Sequence, residues 1–172
     1  MRKAIQLLGL SVLLLSACSA PLDASKIKTQ KMKIDGADND PIEITVPVGA
    51  KEFPGAEPED MLGMFSLYSK KVRTEDFALE IEFTTMPDMS MQEVLDEKGG
   101  DVKSESNFSK IIEKREDGFL YESKEINGDL NYSFIKAIVK ENKFAVVFPE
   151  PSSDGNTSLE EAKYMYQIVN QK

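Results

Sequence analysis

The second half of the chain alternates between short apolar segments and tight-turn signals, and this pattern restricts the fold more than any other feature. Asp117-Gly118, Asn127-Gly128 and Glu141-Asn142 each separate two segments of strand-like composition. Asx–Gly dipeptides favour two-residue hairpin turns, because glycine adopts a positive φ without a Cβ clash. Residues 106–149 therefore predict four antiparallel strands joined by hairpins.

The first half predicts further strands of the same kind. The segment 41–49 alternates apolar and other residues, as does Phe77–Phe83 within 76–86. A period of two is typical of a half-buried strand. The segment 61–72 predicts a strand that forms a hairpin with 76–86, and KMKID at 31–35 predicts a short first strand.

Two capping-box motifs predict helices. Ser90-x-x-Glu93 opens the first, and Gly99-Gly100 is expected to end it. Ser158-x-x-Glu161 opens the second, which carries an apolar stripe. Tyr164 and Ile168 lie off that stripe, so they are predicted to be exposed and to form a contact surface.

The element order is strands, helix, four-strand meander, helix, and it predicts an α+β fold. We expect an antiparallel sheet of about six to seven strands with two helices covering a face. From the strand IEITVPVG to the terminal helix, this order resembles the Mog1/PsbP-like fold, including its DcrB-like lipoproteins. The resemblance implies a non-enzymatic accessory or assembly role.

The amino terminus has the pattern of an export signal. Arg2 and Lys3 precede an apolar run, 4–15, that is too short to span a membrane. The following Leu15-Ser16-Ala17-Cys18 resembles the lipobox of bacterial lipoproteins. That resemblance implies cleavage before Cys18 and attachment of a diacylglyceryl group to its sulfur, chemistry that suits a nucleophilic thiolate. The alternative is an ordinary secretory signal cut after Ala20.

Three segments follow from the lipoprotein interpretation. Residues 1–17 are a cleaved signal peptide, 18–31 a lipidated flexible tether and 32–172 a single domain. The protein is expected to be extracytoplasmic and anchored to a bacterial membrane. Ser19 stands where enterobacterial lipoproteins of the inner membrane have Asp, which favours the periplasmic side of the outer membrane in a Gram-negative cell.

The amino-acid composition disfavours several classes of function. The formal charge is −9, which disfavours nucleic acid because phosphate binding needs clustered Lys and Arg. The chain has no His and one Cys, so it lacks the commonest general base and any CxxC zinc motif. We therefore expect no cofactor and no catalytic residues, with a protein or small-ligand partner besides the membrane lipid bound through acylated Cys18.

Metal binding is the main alternative. Met86, Met89 and Met91 have the spacing of thioether sites for copper(I) in extracytoplasmic copper-handling proteins. Methionine also fills gaps where a strand meets a helix. The acidic turn 35–40 offers oxygens for calcium, but it lacks the spacing of an EF-hand loop.

A carboxylate-dependent hydrolase is the remaining alternative. The pairs Glu80/Glu82 and Glu160/Glu161 supply carboxylates, but such pairs are frequent in this chain. Glu80 and Glu82 alternate with the apolar row and are expected on the wet face of the sheet. Ser69 and Lys70 are adjacent on a strand, so their side chains should point to opposite faces.

Overall fold

The computed structural model describes residues 22–36, 41–56, 59–61, 65–85, 89–140, 143–150 and 156–171. Within these ranges the chain forms an α+β fold of ten strands and two helices. The strands are β1 Thr29–Ile34, β2 Ile42–Pro47, β3 Lys51–Pro54, β4 Glu59–Met61, β5 Phe65–Arg73, β6 Ala78–Thr85, β7 Phe108–Arg115, β8 Gly118–Lys124, β9 Leu130–Lys140 and β10 Lys143–Pro149. The helices are α1 Met91–Ser104 and α2 Leu159–Val169, and Ala24–Lys26 forms a short 3-10 turn.

The larger sheet is antiparallel and, in the described ranges, has eight strands. Seven follow the order β3-β5-β6-β10-β9-β8-β7, and β4 pairs with β5 on the edge that β3 also uses. The predicted α+β class, antiparallel sheet and four-strand meander are confirmed. The meander joins the earlier strands through its last strand, because β10 pairs with β6 from Lys143↔Thr85 to Pro149↔Leu79.

Two of the predicted strands form a sheet of their own. β1 pairs only with β2 in the described residues, from Thr29↔Pro47 to Ile34↔Ile42. Ile34, Ile42, Ile44 and Val46 are buried and belong to the same apolar cluster as helix α2. This hairpin therefore packs through its side chains instead of extending the larger sheet through backbone hydrogen bonds.

The two helices cover opposite faces of the larger sheet, whereas the sequence predicted one covered face. Neighbouring residues on β9 separate the two cores, with Phe134 in the cluster of α2 and Ile135 in the cluster of α1. Side chains alternate across a strand, so these clusters lie on opposite sides. The continuous apolar run Phe144–Val147 of β10 is buried for this reason, since both of its faces are covered.

Helix α1 begins as predicted but does not end at Gly99-Gly100. Ser90 and Glu93 form the reciprocal capping box, and the helix continues to Ser104. Gly99 is buried over the ring of Phe119, and Val102 is buried one turn later. Tertiary packing of the last turn thus outweighs the low helix propensity of the two glycines.

Helix α2 has no exposed apolar side, which corrects the prediction for Tyr164 and Ile168. Their exposed fractions are 4% and 0%. The helix contacts β8 and β9 of the larger sheet and also contacts β2 and the 3-10 turn. The stripe residue Tyr166 packs on Phe134, with 5.1 Å between ring centroids. Because α2 contacts both sheets, apolar side chains off its main stripe are buried as well.

Described secondary structure is present before residue 32, where the sequence placed the domain boundary. Asp23 caps the 3-10 turn by accepting from the Ser25 amide. Gln171, after helix α2, donates to the Ala24 carbonyl over 3.1 Å and accepts from the Thr29 hydroxyl over 3.0 Å. Much of the segment predicted to be a tether is therefore bound to the domain.

Gly118 is required for a different structural reason from the positive φ that its Asp-Gly context predicts. Among the described glycines, only Gly49 and Gly128 have a positive φ, so Gly128 matches the turn prediction and Gly118 does not. A Cβ on Gly118 would lie 2.3 Å from the Ile135 carbonyl oxygen. This position needs glycine because β8 and β9 approach closely there.

Candidate functional site

An open groove of about 650 Å³ lies at one end of the larger sheet. We call it the end groove and define it by its described lining: Leu22, Glu75, Asp76, Phe77, Ala78, Asp129, Leu130, Glu150, Asn156, Thr157, Ser158, Glu161 and Met165. These residues come from the start of the described chain, the β5–β6 and β8–β9 turns, the end of β10 and the beginning of α2.

Sheet topology brings these separate segments together. Strands β5 and β10 both run antiparallel to β6, and β9 runs antiparallel to β10. The carboxyl ends of β5, β10 and β8 therefore meet the starts of β6 and β9 at one end of the sheet. The β5–β6 turn, the β8–β9 turn and the segment before α2 contribute to the groove at this end.

Local hydrogen bonds fix the walls. In the β5–β6 turn the Thr74 amide donates to the Phe77 carbonyl over 2.7 Å. The β8–β9 turn is closed by the Glu125 amide, which donates to the Asp129 carbonyl over 2.8 Å. The segment before α2 forms the third wall. It is attached to β9 because the Thr157 amide donates to Asn131 Oδ1 over 2.8 Å.

The end groove is acidic. Five carboxylates line it, and none of the described lining residues is Lys or Arg. Glu161 is engaged by the Ser158 amide in the capping box, and Asp129 accepts from the side-chain amide of Asn127. Glu75 and Asp76 are exposed and make no hydrogen bond or ion pair with the described part of the chain. The rim therefore carries negative charge that is not paired with a cation.

Apolar side chains complete the groove. Phe77 and Met165 are buried beneath it, while Leu22 and Leu130 are 39% and 45% exposed. Ile126 is fully exposed at the tip of the turn that also carries Asp129 and Leu130. Five large hydrophobic residues are exposed in the described ranges. Three of them, Leu22, Ile126 and Leu130, lie at the groove end of the sheet.

Glu150 is the most enclosed carboxylate of the groove and the only lining carboxylate that pairs with a cation among the described residues. Its side chain is 9% exposed and accepts from Lys71 Nζ over 2.8 Å and from the Arg73 guanidinium. The Arg73 hydrogen bond is the largest cause that lowers the pKa of Glu150, and Lys71 adds to it against the effect of burial. Glu150 thus forms ion pairs with two basic side chains at the groove edge.

The Glu150 cluster should make stability depend on acid pH. The ordinary pKa of 4.5 is lowered in the folded state, so ionised Glu150 stabilises the fold above pH 4.5 and loses this effect as pH falls through the folded pKa. The difference in unfolding free energy between the parent and Glu150→Gln should therefore be constant near neutral pH and should shrink below 4.5. Urea unfolding at a series of pH values measures it, and a difference that grows on acidification contradicts the assignment.

Several residues singled out in the sequence lie elsewhere or outside the described residues. Cys18 and Met86 lie outside them, as do residues 37–40 of the acidic turn. Met89 and Met91 are half-buried and pack against the apolar cluster of α1. Within the described ranges, no group of three or more acidic, Cys or His side chains is arranged to hold a metal ion. No helix in these ranges is long and apolar enough to cross a membrane.

The paired carboxylates of β6 alternate with its buried row, as predicted, but their face is the one that α1 covers and not an open wet face. Glu80 accepts from the Ser69 hydroxyl over 2.6 Å, and Glu82 pairs with Lys98 of α1 over 3.3 Å. Lys70 instead pairs with Glu52 over 3.0 Å. Ser69 and Lys70 therefore have different partners, in keeping with their opposite orientations on β5.

Sequence reasoning missed the groove residues because it treated the turns only as connections. Glu75, Asp76 and Asp129 are acidic residues in hairpin turns, where such residues are common. The available signal was topological: turns that follow alternate strands of an antiparallel sheet lie at one end, and those of this end share a sign of charge. Using that signal required the strand order, which the local pattern does not contain.

Comparison with family models, curated proteins and solved structures found no match for this chain.

Proposed function

We propose that this protein is a lipid-anchored extracytoplasmic lipoprotein that acts as a non-catalytic binding or assembly module through the end groove. One observation carries the proposal: Leu22 lines the groove and lies four residues after Cys18, the last residue of the lipobox pattern. A lipid on Cys18 would hold the groove next to the membrane. The chemistry of the lining supports binding, since it combines carboxylates with exposed apolar side chains.

We also propose that the domain is a member of the Mog1/PsbP-like group. The support is the order of its elements, in which a helix separates the early strands from a four-strand meander that a terminal helix follows. The accessory and assembly roles of that group agree with a binding module.

The anchor is tested by replacing the lipobox cysteine. Cys18→Ser is expected to abolish metabolic labelling with a fatty acid and to release the protein from the membrane fraction, because serine cannot form the thioether. Labelling of the parent protein expressed in a bacterial host, followed by fractionation, measures both effects.

The matched control is Ser16→Ala, which keeps an accepted residue in the lipobox pattern and should label like the parent. Export with cleavage after Ala20 and no labelling of the parent would support the secretory alternative. A Cys18→Ser protein that still labels and sediments with membranes would overturn the proposed anchor.

A further inference from the structure

We propose that the end groove docks a peptide segment that carries both basic and apolar side chains, presented at the membrane surface by a membrane protein. This inference rests on the proposed function, because it uses the lipid on Cys18 to place the groove near the bilayer. The groove chemistry itself depends only on the folded domain.

Exposed hydrophobic residues at the groove indicate a docking surface. Leu22 and Leu130 line the groove, and Ile126 extends from the adjoining turn with its whole side chain in solvent. Single exposed apolar residues are ordinary on a protein surface. Two of them line one concave groove with an apolar floor and the third lies in the adjoining turn, and exposed apolar side chains grouped in this way are typical of binding sites.

The negative charge of the rim favours a basic segment as the occupant of the groove. Glu75, Asp76 and Asp129 lie beside these apolar residues without a cationic partner in the described residues. An acidic or neutral segment would leave these carboxylates uncompensated, and an acidic one would be repelled. In a segment with Lys or Arg between apolar residues, the cations can pair with the rim carboxylates and the apolar side chains can pack on the floor of the groove.

The anchor restricts where that segment lies. Leu22 is four positions after Cys18, so the Cα atoms of these two residues are at most about 14 Å apart. The Gln171 hydrogen bonds to Ala24 and Thr29 hold the following residues to the domain. A lipid on Cys18 therefore keeps the groove within the zone next to the bilayer, where a juxtamembrane segment of a membrane protein is found.

The same charge disfavours the bilayer itself as occupant. Glu125 and Asp129 flank Ile126 in its turn, and Glu75 and Asp76 lie at the same end of the sheet. Anionic headgroups would be repelled by these carboxylates. Insertion of Ile126 into lipid is thus the competing outcome of the test.

Titration of the protein into fluorescently labelled synthetic peptides, followed by fluorescence anisotropy, tests the docking. The probe is an eight-residue peptide of alternating Lys and Leu, compared with Glu–Leu and Lys–Ser peptides of equal length. The Cys18→Ser protein without residues 1–17, which is the mature chain of the proposed lipoprotein, serves as receptor, so that the result depends neither on lipidation nor on the apolar run 4–15. We expect the Lys–Leu peptide to bind at least tenfold more tightly than either comparison peptide, and equal binding of Lys–Ser overturns the role of the apolar floor.

Charge variants locate the binding. The triple change Glu75→Gln, Asp76→Asn and Asp129→Asn is expected to weaken Lys–Leu binding about tenfold, with a smaller dependence on salt. The control triple Glu97→Gln, Asp101→Asn and Glu116→Gln removes the same charge from exposed positions outside the groove and should change binding less than about twofold. Equal loss in both triples would show general charge attraction and overturn the site.

Sedimentation with lipid vesicles distinguishes peptide docking from insertion of the exposed apolar side chains into lipid. The Cys18→Ser protein, again without residues 1–17, is expected not to sediment with phosphatidylcholine vesicles or with vesicles that contain phosphatidylglycerol. Sedimentation that Ile126→Ser abolishes would assign the patch to lipid and overturn the peptide proposal. Failure of fatty-acid labelling on Cys18 would instead overturn the anchor and leave the peptide measurements standing.

Discussion

Replacing Gly118 with alanine is expected to lower the free energy of unfolding by about 3 kcal/mol. The new Cβ would lie 2.3 Å from the Ile135 carbonyl oxygen and 3.1 Å from both Lys136 Cα and the Tyr166 hydroxyl oxygen. The first two neighbours belong to the backbone of β9, so relief requires the β8–β9 ladder to separate. Equilibrium unfolding in urea, followed by circular dichroism, measures the loss.

Gly100 provides the matched control for this substitution. It is exposed within helix α1, and a Cβ there would meet nothing within 4 Å. Gly100→Ala should stabilise the protein by about 0.5–1 kcal/mol, because alanine favours the helix and restricts the unfolded chain. Opposite signs for the two variants are the expected result. A Gly118→Ala protein as stable as the parent would show that the strands are further apart than the structure places them.

Truncating Ile168 to alanine is expected to cost about 3 kcal/mol. Its side chain is completely buried in the cluster that α2 shares with both sheets. The substitution loses buried apolar area and leaves a cavity that the surrounding side chains fill only in part. Thermal or urea unfolding measures the effect.

The neighbouring Gln167 is exposed on the same helix, so Gln167→Ala should change stability by less than about 0.5 kcal/mol. A similarly small effect at Ile168 would restore the interpretation of this side of α2 as a free contact surface. The pair therefore tests directly whether the β1–β2 hairpin and the 3-10 turn cover the helix.

Elements with a local signal were predicted well. The four strands of the meander occur where the apolar alternation and the turns placed them, and both capping boxes form as predicted. Each depends on contacts within a few residues, which a sequence pattern contains. The errors at Gly99-Gly100 and Gly118 have one cause: in both, a distant side chain or backbone decides what the glycine does.

The candidate site was much less accessible to sequence reasoning. The residues first singled out as a contact surface, Tyr164 and Ile168, are buried, because the pattern of α2 alone does not show that a second sheet packs on the helix. Conversely, Ile126 and Leu130 looked like ordinary members of strands and turns. Their exposure depends on which elements remain uncovered after the whole chain has packed.

Sequence alone was enough for the α+β class, the hairpin-linked strands and the starts of both helices, because periodicity, caps and turns are local properties of the chain. Tertiary structure decided that β10, rather than β7, joins the meander to β6. It also placed the helices on opposite faces and the β1–β2 hairpin against α2. These choices depend on which apolar faces bury each other across long separations, and they bring three turns and Leu22 together around one acidic groove.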